Sequence, residues 1–138
     1  LHYPLRRQRQ MCIRDSILLV EKNHMAGSVI ALTARHLNLA IVRKASNVHN
    51  AQHYLGSEEF AGLITTIEDE ATDLKFLYEL RNASFNNQPD MPIVVITPAC
   101  DEELAERLKM LRVSRVLLKP FKVRDVISTI EMVSKPAN

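Results

Sequence analysis

The chain has 138 residues, 46% hydrophobic and 25% charged, a balance that suits one globular domain and excludes general disorder. No apolar run reaches the roughly 18–20 residues that a membrane span requires. Two cysteines exclude a disulfide framework and stand outside zinc-ligand spacing, while a net charge of +2 at first suggests a mildly basic nucleic-acid binder.

Residues 1–16, LHYPLRRQRQMCIRDS, are rich in arginine, with an apolar patch too short for a signal peptide. Arg6 through Ser16 resembles the translation of a transposase-based sequencing adapter, so residues 1–16 are expected to be a disordered artefact rather than a basic arm. On that reading residues 17–138 carry 14 basic against 15 acidic side chains, a net of −1, and Cys100 is the only remaining thiol. Electrostatics then gives no reason to expect direct nucleic-acid or membrane binding. An output domain before Ile17 or after Asn138 stays open.

Ile17–Val20 is a short continuous apolar run, the pattern of a strand buried on both faces. Asn23 is placed to cap a helix whose apolar positions, from Met25 to Leu37, recur at helical spacing. Leu39–Val42 is predicted as the second strand, and Ser46 or Asn47 caps a helix that Gly56 ends. Ala61–Ile67 reads as the third strand and residues 71–82 as a helix, followed by a polar, proline-bearing loop up to Met91. Pro92–Thr97 is the fourth strand. Asp101 caps a helix with a Glu103–Arg107 pair at i,i+4, Val113–Leu118 is the fifth strand, and Val123–Val133 the last helix. The expected domain is therefore 17–133 with a tail at 134–138.

Five alternations of helix with wholly apolar strands predict an α/β fold, a doubly wound five-stranded parallel sheet. Sites in such sheets lie beyond the carboxyl ends of the strands. The residues there include Glu21, Lys22, Thr66, Thr97, Lys119 and Pro120.

Those strand ends, in the segments ILLVEKN (17–23), PIVVITPA (92–99) and VLLKPF (116–121), resemble the receiver domain of two-component response regulators, a flavodoxin-like (βα)5 fold. The resemblance implies a first strand ending in two acids that hold Mg²⁺ and a third strand ending in a phosphoaccepting Asp. It further implies a Ser/Thr after the fourth strand and a Lys followed by a Pro, often cis, after the fifth. Glu21 matches the first acid, but Lys22 stands at the second. Thr66 occupies the acceptor position, Thr97 and Lys119–Pro120 match, and Val116 replaces the usual aromatic switch residue. Asp69, Glu70 and Asp73 stand in the following loop in place of the usual motif.

A hydroxyl without an adjacent base cannot replace a carboxylate in aspartyl-phosphate chemistry. An ammonium at Lys22, expected to pair with Glu21, opposes binding of a hard divalent cation. The expectation is a pseudo-receiver: not an enzyme, with no cofactor and no metal, Glu21 being the one residual acid. Its function would be phosphorylation-independent protein interaction in two-component signalling, with a protein partner or a second copy as in a homodimer, in a bacterial cytoplasm. The first alternative is an active receiver using Glu68 or Asp69 as a displaced acceptor with Mg²⁺. The second is a flavodoxin-like domain that binds an anion at Lys22 and Lys119.

Arg107, Lys109, Arg112, Arg115, Lys122 and Arg124, with Val116, form the candidate interface, on the elements where the family docks partners. His49 and His53 stand at metal-compatible i,i+4 spacing but have no third ligand nearby, so solvent-facing side chains are expected. Cys100 begins a helix, and an inert thiol is the simpler reading. Neither a hydrolase triad nor a glycine-rich dinucleotide loop is present in the sequence.

Overall fold

The computed structural model describes residues 16–82 and 90–134. Its elements run β1 (Ser16–Val20), α1 (His24–His36), β2 (Ile41–Ala45), α2 (Val48–Ser57), β3 (Gly62–Thr66), α3 (Glu70–Arg81), β4 (Ile93–Thr97), α4 (Glu102–Met110), β5 (Arg115–Leu118) and α5 (Val123–Ser134). The strands form one parallel sheet in the order β2-β1-β3-β4-β5. This is the α/β, doubly wound five-stranded sheet expected from the sequence.

Side-chain alternation explains the two layers of helices. Leu18, Val20, Leu63, Ile93 and Val95 point to one face and pack with Leu55 of α2, Leu77 of α3 and Leu108 of α4. Ile17, Leu19, Ile64, Val94 and Ile96 point to the other and pack with Ile30 of α1 and Ile130 of α5. Burial of these strands on both sides is what a continuous apolar run permits. Gly62 opens β3 where no side chain fits: an added Cβ would collide with Val133 Cγ1 and lie 3.3 Å from the Pro92 carbonyl oxygen.

The helix starts follow the caps read from the sequence. Asn23, Asn47 and Asp101 accept from the backbone N–H groups of Ala26, Asn50 and Leu104. Glu103 and Arg107 pair at 3.1 Å along α4.

Several boundaries differ from the sequence expectations. β2 is Ile41–Ala45, not Leu39–Val42, because Asn38 has φ 64° and Leu39 N–H returns to the Ala34 carbonyl, closing α1. Residues 39 and 40 therefore belong to the connection. β5 begins at Arg115 rather than Val113, whose N–H closes α4 on Leu108. Gly56 lies inside α2, which ends at Ser57. Burial on both faces holds for the central strands only, where even Thr65, Thr66 and Thr97 are buried. β2 and β5 are edges, and both expose residues such as Arg43, Lys44 and Arg115. β1 includes Ser16, whose carbonyl accepts from Ala61 N–H, one residue into the segment attributed to the adapter. The rest of that segment, most of the polar loop after Asn82, and the tail beyond Ser134 lie outside the described residues.

Arg81 links three elements at the end of α3. Its guanidinium donates to the Leu111 and Met91 carbonyls at 2.7 Å each and to the Arg112 carbonyl at 3.0 Å. Burial lowers its pKa from the usual value, with a further contribution from the charge of Arg112, while Asp90 opposes the shift.

Candidate functional site

The order β2-β1-β3 brings the ends of β1 and β3 together, with β5 two strands from β3, and residues just beyond these ends form one cluster of charged side chains. Glu21 follows β1 and is held in place by the sheet: its N–H bonds to the Ala45 carbonyl at 3.0 Å. Its side chain is only 2% exposed. Oε2 accepts from Asn23 N–H at 3.1 Å, whereas Oε1 is buried with no hydrogen-bond partner.

Lys119 follows β5, tied by its N–H to the Thr97 carbonyl at 2.9 Å, and the Lys119–Pro120 bond is cis. Its Nζ stands 3.8 Å from Glu21 Oε2 and 3.7 Å from Glu68 Oε2. Lys22 Nζ stands 3.7 Å from Glu68 Oε1. Lys22 thus pairs with Glu68 and not with Glu21 as expected. The sequence alone cannot tell that Glu68 crosses from the β3–α3 loop to lie between two ammonium groups. Two carboxylates and two ammonium groups leave the cluster with no net charge.

Thr66 ends β3 beside this cluster. It is buried and its hydroxyl donates to the Val20 carbonyl at 3.1 Å, so the side chain bridges β3 to β1. Thr65 Oγ1 lies 3.4 Å from the Thr66 carbonyl. Thr97 ends β4, also buried, and donates to the Ala99 carbonyl at 2.9 Å.

The β3–α3 loop is organised by Asp73. Asp73 lies on α3, within the helix read over 71–82 and not in the loop where the resemblance sets it, and it is buried. Its Oδ2 accepts from the N–H groups of Glu68 at 2.9 Å and Asp69 at 3.2 Å. That clamp directs Glu68 toward Lys119. Asp69 instead accepts from Thr72 Oγ1 at 2.8 Å, on α3. Asp73 was within reach of sequence reasoning, since a carboxylate in the first turn of a helix commonly accepts from the N–H groups that precede it.

Mg²⁺ is the metal that a receiver-like pocket would imply, and the donors here do not suit it. A hard cation needs several converging free oxygens, but both oxygens of Glu68 and Oε2 of Glu21 face an ammonium group within 3.8 Å, which leaves Glu21 Oε1 as the single free oxygen of the pair. His49 and His53 are exposed on α2, and among the described residues no group of three or more His, Cys, Asp or Glu could hold a metal ion.

The basic residues considered for an interface are exposed on α4, on the turn after it, on β5 and at the start of α5: Arg107, Lys109, Arg112, Arg115, Lys122 and Arg124. Val116 and Leu118 of β5 are 37% and 56% exposed among them. No helix among the described residues is long and apolar enough to cross a membrane.

No family model and no curated protein matches the sequence. Solved structures do match in shape. The chemotaxis protein CheY4 of Vibrio cholerae is 19% identical with a TM-score of 0.75, over 87% of this chain and 98% of its own. A response regulator from Thermotoga maritima is 16% identical with a TM-score of 0.74, over 88% and 98% of the two chains. A response regulator from Burkholderia pseudomallei, solved with a phosphorylated aspartic acid, a calcium ion and citrate, is 21% identical with a TM-score of 0.69, over 84% and 66%. The chain has the flavodoxin-like (βα)5 fold of CheY-like response-regulator receiver domains.

Proposed function

We propose that this domain is a phosphorylation-independent receiver-like module that acts through protein interaction in two-component-type signal transduction. The observation that carries the reading is Thr66. At the end of β3 the chain presents a buried hydroxyl committed to the Val20 carbonyl, where phosphoryl transfer would need a free carboxylate. The neutral Glu21–Lys119–Glu68–Lys22 cluster supports it, because the cation that would screen a phosphoryl group already faces two carboxylates of its own chain. On this reading the domain is not an enzyme, needs no cofactor or metal, and works in a bacterial cytoplasm. Its partner is a protein or a second copy, met on the α4–β5–α5 face that carries Arg107, Arg112, Arg115, Val116, Lys122 and Arg124.

The contacts of Glu68 favour one second reading, in which Glu68 is a displaced acceptor with Mg²⁺. Its carboxylate lies 3.7 Å from Lys119, whereas Asp69 is turned to Thr72. Mg²⁺ would then have to displace Lys22 from Glu68. The anion-binding alternative has less support, since Lys22 and Lys119 already share Glu68.

Thermal unfolding with and without Mg²⁺ plus beryllofluoride separates these readings, because a ligand specific for the folded state raises the midpoint. The expected result is no shift in the natural chain and a shift in a Thr66→Asp/Lys22→Asp double variant. A shift in the natural chain that Glu68→Gln abolishes overturns the proposal in favour of the displaced acceptor.

A further inference from the structure

The edge of the sheet opposite β5 carries a groove that the pocket chemistry does not use. It lies between α1 and β2 and has a volume of about 480 Å³. Ala31, Leu32, Ile41 and Val42 contribute an apolar surface, with Leu32 65% and Ile41 51% exposed. The charged residues lining it are Arg35 and Lys44, both exposed and both cationic, and no carboxylate is among the lining residues. Lys44 Nζ donates to Ser28 Oγ at 2.9 Å, which holds its ammonium group on the groove wall.

Along this groove runs the free side of a β-strand. β2 pairs with β1 on one side and has no strand on the other among the described residues. An unpaired strand edge beside a helix-lined apolar groove is the arrangement that accepts an extended peptide as an added strand. In that mode the backbone ladder supplies affinity, and alternate side chains enter the groove.

We propose that β2 and the α1–β2 groove form a docking site for an extended, acidic segment of a partner protein, added to the sheet as a sixth strand. Every second residue of that segment faces α1 and enters the groove, apolar beside Leu32 and Val42 and acidic beside Arg35 and Lys44, which share that face of the sheet. Charge decides between occupants. A second copy docking groove to groove would bring Arg35 and Lys44 toward their own counterparts, which is repulsive, whereas an acidic strand neutralises them. Docking here is independent of whether Thr66 or Glu68 takes a phosphoryl group, and its failure would leave the reading of the pocket untouched.

The probe is a short fluorescein-labelled peptide with valine and glutamate in turn at every second position and serine between them, titrated against the full chain and followed by fluorescence anisotropy. Saturable binding is expected, with slowed amide hydrogen exchange confined mainly to β2. The same peptide with lysine in place of each glutamate should not bind, and an Arg35→Glu/Lys44→Glu variant should weaken binding by about tenfold or more at low salt. Both substituted positions are exposed, and the unchanged circular dichroism expected of the variant would verify its fold. Absence of binding overturns the proposal, as does equal binding by the lysine peptide or by the double variant. Preference for a helical leucine–glutamate peptide overturns strand addition. Dimerisation that protects β2 without peptide overturns it in favour of a second copy.

Discussion

Arg81 and Lys119 are both partly buried cations, yet they are held in opposite ways. The Arg81 guanidinium makes hydrogen bonds of 2.7–3.0 Å to three backbone carbonyls, one just before β4 and two just after α4. The Lys119 ammonium stands 3.7–3.8 Å from two carboxylates, beyond hydrogen-bond length. A planar fork with several fixed donors suits carbonyls at set positions, whereas a single flexible ammonium answers to net charge nearby. The α3–α4 junction is thus set by geometry and the pocket by charge balance. That difference explains how the pocket can carry Lys22 and Thr66 on an intact sheet, provided its charges still cancel.

Arg81→Met provides the strongest test of the comparison. It removes charge-assisted bonds to three carbonyls and should lower unfolding stability by about 2–4 kcal/mol in urea denaturation. Arg81→Lys should recover less than half of the loss, because one ammonium cannot reach three directions at once. Full recovery by lysine would show that charge, not geometry, matters there.

Lys119→Met should cost less, about 1–3 kcal/mol, by leaving the buried Glu21 carboxylate with Glu68 and no Lys119 cation. Adding Glu21→Gln should return most of that loss, and the double-mutant cycle should give a clear coupling energy. Additive effects of the two substitutions would mean that the pocket is not governed by charge balance.

Lys22→Ala should have the smallest effect. Lys22 is 65% exposed and 3.7 Å from Glu68, so a change within about 0.5 kcal/mol is expected, vanishing at high salt. A larger loss that persists in salt would place Lys22 with Lys119 as a structural cation.

Much of the fold was legible because it depends on local pattern. The three central strands announce themselves as short apolar runs, and Asn23, Asn47 and Asp101 mark helix starts through a hydrogen bond that spans three residues. The edges were harder to read. Leu39 and Ala40 look like strand but fill the α1–β2 connection, while Arg43 and Lys44 look like loop but pair with β1. A strand open on one side needs no continuous apolar run, so periodicity misplaced its limits.

The candidate site divides in the same manner. Glu21, Lys22, Thr66, Thr97 and Lys119 could be named because strand ends of an alternating sheet converge, and that Thr66 offers a hydroxyl and not a carboxylate is a matter of residue type alone. Which charges meet was settled in three dimensions. Glu68 reaches Lys119 and Lys22 because Asp73, from the first turn of α3, captures the N–H groups of Glu68 and Asp69. Arg81 gave no signal in the sequence, since it donates to main-chain oxygens at residues 91, 111 and 112. Side-chain sequence records periodicity, caps and the chemical nature of each group. Partners separated by tens of residues, and above all partners that are backbone carbonyls common to every residue, are selected only when the tertiary structure brings them within bonding distance.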